Sequence, residues 1–150
     1  MRRRISILAA IALGTLVTSG PLPGVAQEAA RTYRVGILSG LTREAPVWVA
    51  FRDELSRLGF VEGKGLIVDQ RAYGDKPEQA TALASALAQS EDEVIVASGG
   101  PAIVAVQAAT RTIPILGTSD DMVASGLVPS LAHPGANLTG ISILATELDG

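Results

Sequence analysis

Three short runs hold the side chains best suited to chemistry: Ser39-Gly40, Ser98-Gly99-Gly100-Pro101 and Thr118-Ser119-Asp120-Asp121. Serine and threonine hydroxyls both donate and accept hydrogen bonds, and neighbouring glycines leave backbone N–H groups open to an approaching ligand. Donors from the first two runs and a carboxylate from the third suit a small zwitterion such as an amino acid. Turnover needs more, namely a nucleophile or an acid–base pair with a positioned partner. Ser98 lacks the glycine-flanked elbow of α/β hydrolases. Gly36 precedes Leu38-Ser39-Gly40 without forming a dinucleotide fingerprint, and Gly63-Lys64 runs into Gly65 ahead of a strand, the wrong context for a phosphate loop. The chain has no cysteine and one histidine, His133, so thiolate chemistry and sulfur- or histidine-based metal sites are excluded. The residues therefore predict a binding protein, with no enzymatic activity, no cofactor and no metal.

Each run also has a plainer reading. Ser98, Gly99 and Gly100 are ordinary turn and helix-capping residues, and Asp120 or Asp121 suits the N-cap of a following helix. His133 beside Pro134-Gly135 reads as an exposed turn. Asn137-Leu138-Thr139 fits a glycosylation sequon, but at the start of a buried strand. Trp48 and Phe51 read as core.

The elements that must position these runs alternate regularly. Arg34–Leu38 is a short apolar run closed by Ser39-Gly40, the pattern of a buried strand. A helix follows with Pro46 in its first turn and Val47, Trp48, Phe51, Leu55 and Leu58 at helical spacing, and Gly59 supplies a left-handed cap. Leu66–Val68 is a second strand. A second helix opens near Pro77 with Ala80, Leu83, Ala84 and Leu87 on one side. Val94–Ala97 is a third strand, Pro101–Ala108 a third helix, Pro114–Leu116 a fourth strand and Leu138–Ile141 a fifth, with a short helix expected around Val123–Leu131. Strict alternation means right-handed crossovers and a parallel sheet covered on both faces. The fold class is α/β, doubly wound, with the flavodoxin-like strand order 2-1-3-4-5. Ligands of such sheets sit beyond the carboxyl ends of the strands, where the winding reverses. That places Ser39-Gly40, Ser98-Gly99-Gly100 and the Thr118–Asp121 run at one edge.

The first thirty residues bear on compartment. Arg2, Arg3 and Arg4 precede an apolar run from Ile5 to Val17, then Pro21, Pro23 and small residues ending at Val25-Ala26. This is the plan of a secretory signal cleaved after Ala26, and the prolines cut the run short of the roughly 20 apolar residues of a membrane span. Without the three signal arginines, nine basic residues face fifteen acidic ones, a net charge of −6. Such a surface argues against nucleic acid, whose phosphates need basic patches.

The chain resembles a known family in several segments taken together. They are Arg34–Ser39, Phe51-Arg52-Asp53-Glu54-Leu55 through Leu58–Gly63, Ile113-Pro114-Ile115, Asp121–Val128 and Pro134-Gly135-Ala136-Asn137-Leu138-Thr139-Gly140. In order and spacing they are similar to the ABC transporter substrate-binding proteins related to tryptophan and tyrosine receptors, which have the type I periplasmic-binding-protein fold. The resemblance implies a periplasmic protein of two α/β lobes that close over a small solute and present it to an inner-membrane ABC permease. It implies ligand-binding roles for Ser39, Ser98, Gly99, Gly100, Thr118 and Asp121, with Gly40 beside Ser39. Met122 departs from the proline of many members, and Asp120 from a small residue. On this reading residues 1–26 are the signal and 27–150 the N-terminal lobe, with the hinge and second lobe of the family absent from the chain. A ligand-sensing module of a membrane sensor is the alternative that shares this lobe.

Overall fold

The computed structural model describes residues 31–143; the proposed signal and cleavage point, and the segment after Ile143, lie outside them. The chain runs β1 (Tyr33–Ser39), α1 (Pro46–Arg57), β2 (Val61–Glu62), β3 (Gly65–Ala72), a 3-10 turn (Pro77–Gln79), α2 (Ala80–Ala88), β4 (Val94–Ser98), α3 (Gly100–Ala109), β5 (Ile115–Ser119) and β6 (Leu138–Ser142). The sheet order is β2-β3-β1-β4-β5-β6 with every strand pair parallel. Without the two-residue edge strand β2, this is the flavodoxin-like order expected. β2 itself was not foreseen; only Gly63-Lys64 joins it to β3, and Gly63 and Gly65 take positive φ (79° and 89°) to make so short a link.

Alternation along the strands divides the core between the two faces. Ile37 and Val96 point with Trp48, Leu66 and Val68 towards α1, whereas Leu38 and Ile95 join Ala84, Leu87, Ile103 and Val106 of α2 and α3. Burying each Ile or Leu contributes about 1.5–3 kcal/mol, so neighbouring residues such as Ile37 and Leu38 pin the register from opposite sides. In α1 only part of the expected apolar stripe faces inward: Trp48 is buried and Phe51 and Leu55 partly so, while Val47 and Leu58 are exposed. Gly59 has φ 94°, the left-handed value its position required.

One feature sits differently from the sequence pattern. The segment after β5 is a series of turns rather than a helix. Leu127 N and Val128 N both return to the Met122 carbonyl, and Gly126 N to that of Val123. Gly126 at φ 68° ends the single helical turn, and Pro129 comes too soon for another to start. At the far flank, Asp92 is buried with its carboxyl over β1, where a Cβ on Gly36 would lie 2.8 Å from Oδ2. Ser90 donates to that carboxylate. Burial is the main cause raising the Asp92 pKa above the ordinary carboxylate range; the Asp69 charge adds to this, while Ser90, Arg34 and Arg71 oppose it.

Candidate ligand-binding site

Four strands end on serine at the same edge: Ser39 on β1, Ser98 on β4, Ser119 on β5 and Ser142 on β6. In-register pairing sets Ser39 beside Ser98, Ser98 beside Thr118 and Ser119 beside Ser142. Their hydroxyls are engaged to different degrees. Ser39 is 1% exposed; it donates to the Leu41 carbonyl at 2.8 Å and accepts from Leu41 N and the Trp48 indole N–H, both at 3.1 Å. A hydroxyl has one donor and two acceptor sites, so Ser39 is saturated from within. Ser142 accepts from Met122 N at 2.9 Å. Ser98 accepts from Thr118 Oγ1 at 3.1 Å and keeps its own proton free to donate. Ser119 Oγ is buried and has no partner among the described residues.

A cavity of about 270 Å³ opens at this edge. It is lined by Ser98, Gly99 and Gly100 from the β4–α3 link, Thr118, Ser119 and Asp120 from the end of β5, and Ser125, Leu127 and Ile143. Gly99 has φ 92° and ψ 152°, a conformation that is essentially glycine-only. It turns the chain so that no side chain caps α3, and its own N–H is spent on the Thr118 carbonyl at 2.8 Å. A Cβ on Gly100 would meet nothing within 4 Å, so the backbone at the start of α3 is open to the cavity. The chemistry on offer is hydroxyl donors, helix-terminal N–H groups with their partial positive charge, and the exposed Asp120 carboxylate.

The structure thus brings together Ser98, Gly99, Gly100 and Thr118 of the residues singled out in the sequence. Ser39, Gly40 and Asp121 do not line the cavity. Asp121 Oδ1 accepts from Val123 N at 3.0 Å and Ala124 N at 2.8 Å, capping the turn after β5. Gly40 faces Tyr73, whose ring edge is 3.2 Å from where its Cβ would stand. Sequence reasoning passed over Tyr73, Ser125, Leu127 and Ile143. The continuation of the Thr118 run pointed to Ser119, but nothing local pointed to the others. His133 is exposed in an irregular stretch rather than a turn, and Asn137 Nδ2 donates to the Ile113 carbonyl at 2.6 Å. A second, more apolar cavity of about 170 Å³ lies near the amino ends of β1 and β4, among Tyr33, Leu55, Phe60, Leu66 and Val94. No group of three or more metal-ligating side chains occurs among the described residues, and none of their helices is long and apolar enough to cross a membrane.

Residues 39–148 match the profile of a family described as ABC transporter substrate binding protein. The chain belongs to this family. Substrate binding proteins of this family are extracytoplasmic, bind small solutes and work with ABC transporters; they are not enzymes. A tyrosine-binding protein of Clostridioides difficile (strain R20291) is 35% identical over 94 residues, which are 61% of this chain and 27% of that protein. Among solved structures, a ligand-free, open substrate binding protein with adhesive properties from Clostridium difficile is similar at TM-score 0.67 and 31% identity, over 74% of this chain and 39% of that one. A conserved domain protein from Vibrio cholerae has the same score and identity over 79% and 42%. An ABC domain in complex with L-Trp from Streptococcus pneumoniae, at 21% identity and TM-score 0.65 over 74% and 38%, shares the fold. The chain therefore spans less than half the length of the relatives it matches.

Proposed function

We propose that this chain is the solute-holding part of an exported receptor for an ABC importer, and that its solute is an amino acid or a similar small zwitterion. The observation that carries this reading is the cavity at the carboxyl edge of the sheet, whose lining includes Ser98 with a free hydroxyl proton, the open backbone at Gly100 and the Asp120 carboxylate. Donors and a carboxylate so arranged match the two charged ends of an amino acid. The relative that is a tyrosine-binding protein supports the same class. Residues 1–26 act as the signal and residues 27–150 form one lobe, which delivers the solute to a permease from the periplasm. At about 270 Å³ the cavity is smaller than the roughly 300–1,000 Å³ of a complete small-molecule site, as half a clamshell should be. A second lobe closing over this edge completes it and gives the permease a closed form to recognise.

The test is thermal unfolding of the full-length protein, with each common L-amino acid added at millimolar concentration. One or more should raise Tm, because a ligand at 100 times its Kd stabilises by about 2.7 kcal/mol. A flat response across the panel would overturn the amino-acid assignment. Export is tested by the intact mass of the secreted product, which should begin at Gln27; a product retaining Met1 would overturn the cleavage.

A further inference from the structure

In an open parallel sheet the ligand crevice falls where the winding reverses, here between β1 and β4. The cavity does not lie there. It stops at Gly99 and extends away from β1, over β4, β5 and the turn that follows. The space on the β1 side is taken by Tyr73. Its backbone N–H prolongs the β3–β1 pairing by donating to the Ser39 carbonyl at 3.0 Å, which brings the side chain up to the edge. The side chain packs against the core beneath α2 and α3. Its ring edge stands 3.2 Å from the position of a Cβ on Gly40, and its hydroxyl 3.5 Å from that of a Cβ on Gly99. The phenol therefore occupies the notch between the β1–α1 and β4–α3 loops, which glycine at both positions leaves wide enough to hold it. Burial of the ring also raises the Tyr73 pKa above its ordinary value.

We infer that Tyr73 is a specificity-determining residue: its ring walls off the β1 side of the crevice and confines the solute to the half between α3 and the turn after β5. Solutes compact enough for that half are accepted, and bulkier ones meet the phenol. This inference rests on the amino-acid reading above.

Calorimetric titration of the full-length protein with glycine, L-alanine, L-leucine, L-tyrosine and L-tryptophan tests it. In Tyr73→Ala, affinity for the larger members should rise relative to the smaller by about tenfold or more, the discrimination expected when a pocket wall moves by several carbon atoms. Tyr73→Phe keeps the ring and should keep the wild-type ratio within about twofold. Tyr73→Leu retains the apolar base that faces the core but removes the ring tip; it reads the same ratio should the alanine variant fail to fold. Wild type that binds members of the panel, with an unchanged ratio in both Tyr73→Ala and Tyr73→Leu, overturns this inference alone. Wild type that binds none of them overturns the amino-acid reading, and this inference with it.

Discussion

The β1 end and the β4–β5 end of the same sheet edge are built from the same residue types and behave in opposite ways. Ser39 and Ser98 are register partners, each the last residue of its strand and each followed by glycine. Ser39 is sealed under its loop with all of its hydrogen-bonding capacity spent on Leu41 and Trp48. Ser98 meets only the Thr118 hydroxyl and faces a cavity. A serine at a strand's carboxyl end thus has two uses, holding a loop in shape or reaching a ligand. Its neighbours in space decide between them: an indole for Ser39, a second hydroxyl for Ser98.

Breaking the support of the open end should have the largest effect. A Cβ on Gly140 would stand 2.2 Å from the Gly117 carbonyl oxygen and 2.9 Å from Met122 Sδ, so backbone must move to admit it. Gly140→Ala should cost at least about 3 kcal/mol of stability, read as a lowered urea midpoint. A midpoint close to wild type would mean that β5 and β6 are less tightly joined than the structure has them.

The two serines sharpen the contrast directly. Ser39→Ala leaves the buried Trp48 N–H and the Leu41 groups without their partner and should cost about 2 kcal/mol. Ser98→Ala should change stability by less than about 1 kcal/mol, since Thr118 can turn to the cavity, but weaken solute binding about tenfold. Similar stability losses in the two variants would abolish the distinction between the two ends.

The smallest effect lies off the edge altogether. The folded-state pKa of Asp92 is raised by burial, so the stabilisation tied to its protonated form is complete below the unfolded pKa, near 4, and is lost as pH rises through the folded value. Asp92→Asn removes that loss while keeping the volume over Gly36. Its Tm should exceed wild type by a few degrees at pH 7, with the gap narrowing towards pH 4. A gap that widens on acidification would show that Arg34 and Arg71 outweigh burial. It would then be an ion pair, rather than desolvation, that governs this flank.

Much of the fold was legible in the sequence because hydrophobic runs and turn residues speak for themselves over five to twelve positions. The five main strands, the helix start at Pro46, the cap at Gly59 and the winding order all follow from such runs. β2 escaped because two residues carry no period. The helix expected after β5 failed because Gly126 and Pro129, both plain in the sequence, divide its apolar pattern. At the site, the Ser98–Gly100 and Thr118 loops were legible from strand ends and topology. The commitment of Ser39 was not, since it depends on an indole in the first turn of α1. Tyr73 was less legible still: the glycines it lies against are 33 and 26 positions away in the chain.

The bond between Trp48 and Ser39 also gives the protein a built-in optical gauge. Trp48 is its single tryptophan, 4% exposed and edge-on to Phe51 at a centroid distance of 5.9 Å. Emission from such an indole is that of a dry environment and shifts to the red when water reaches it. Because the ring is anchored to the closed end of the edge, its fluorescence should follow the opening of that loop and the unfolding of the α1 face. A small solute settling beside Ser98 should leave it unchanged.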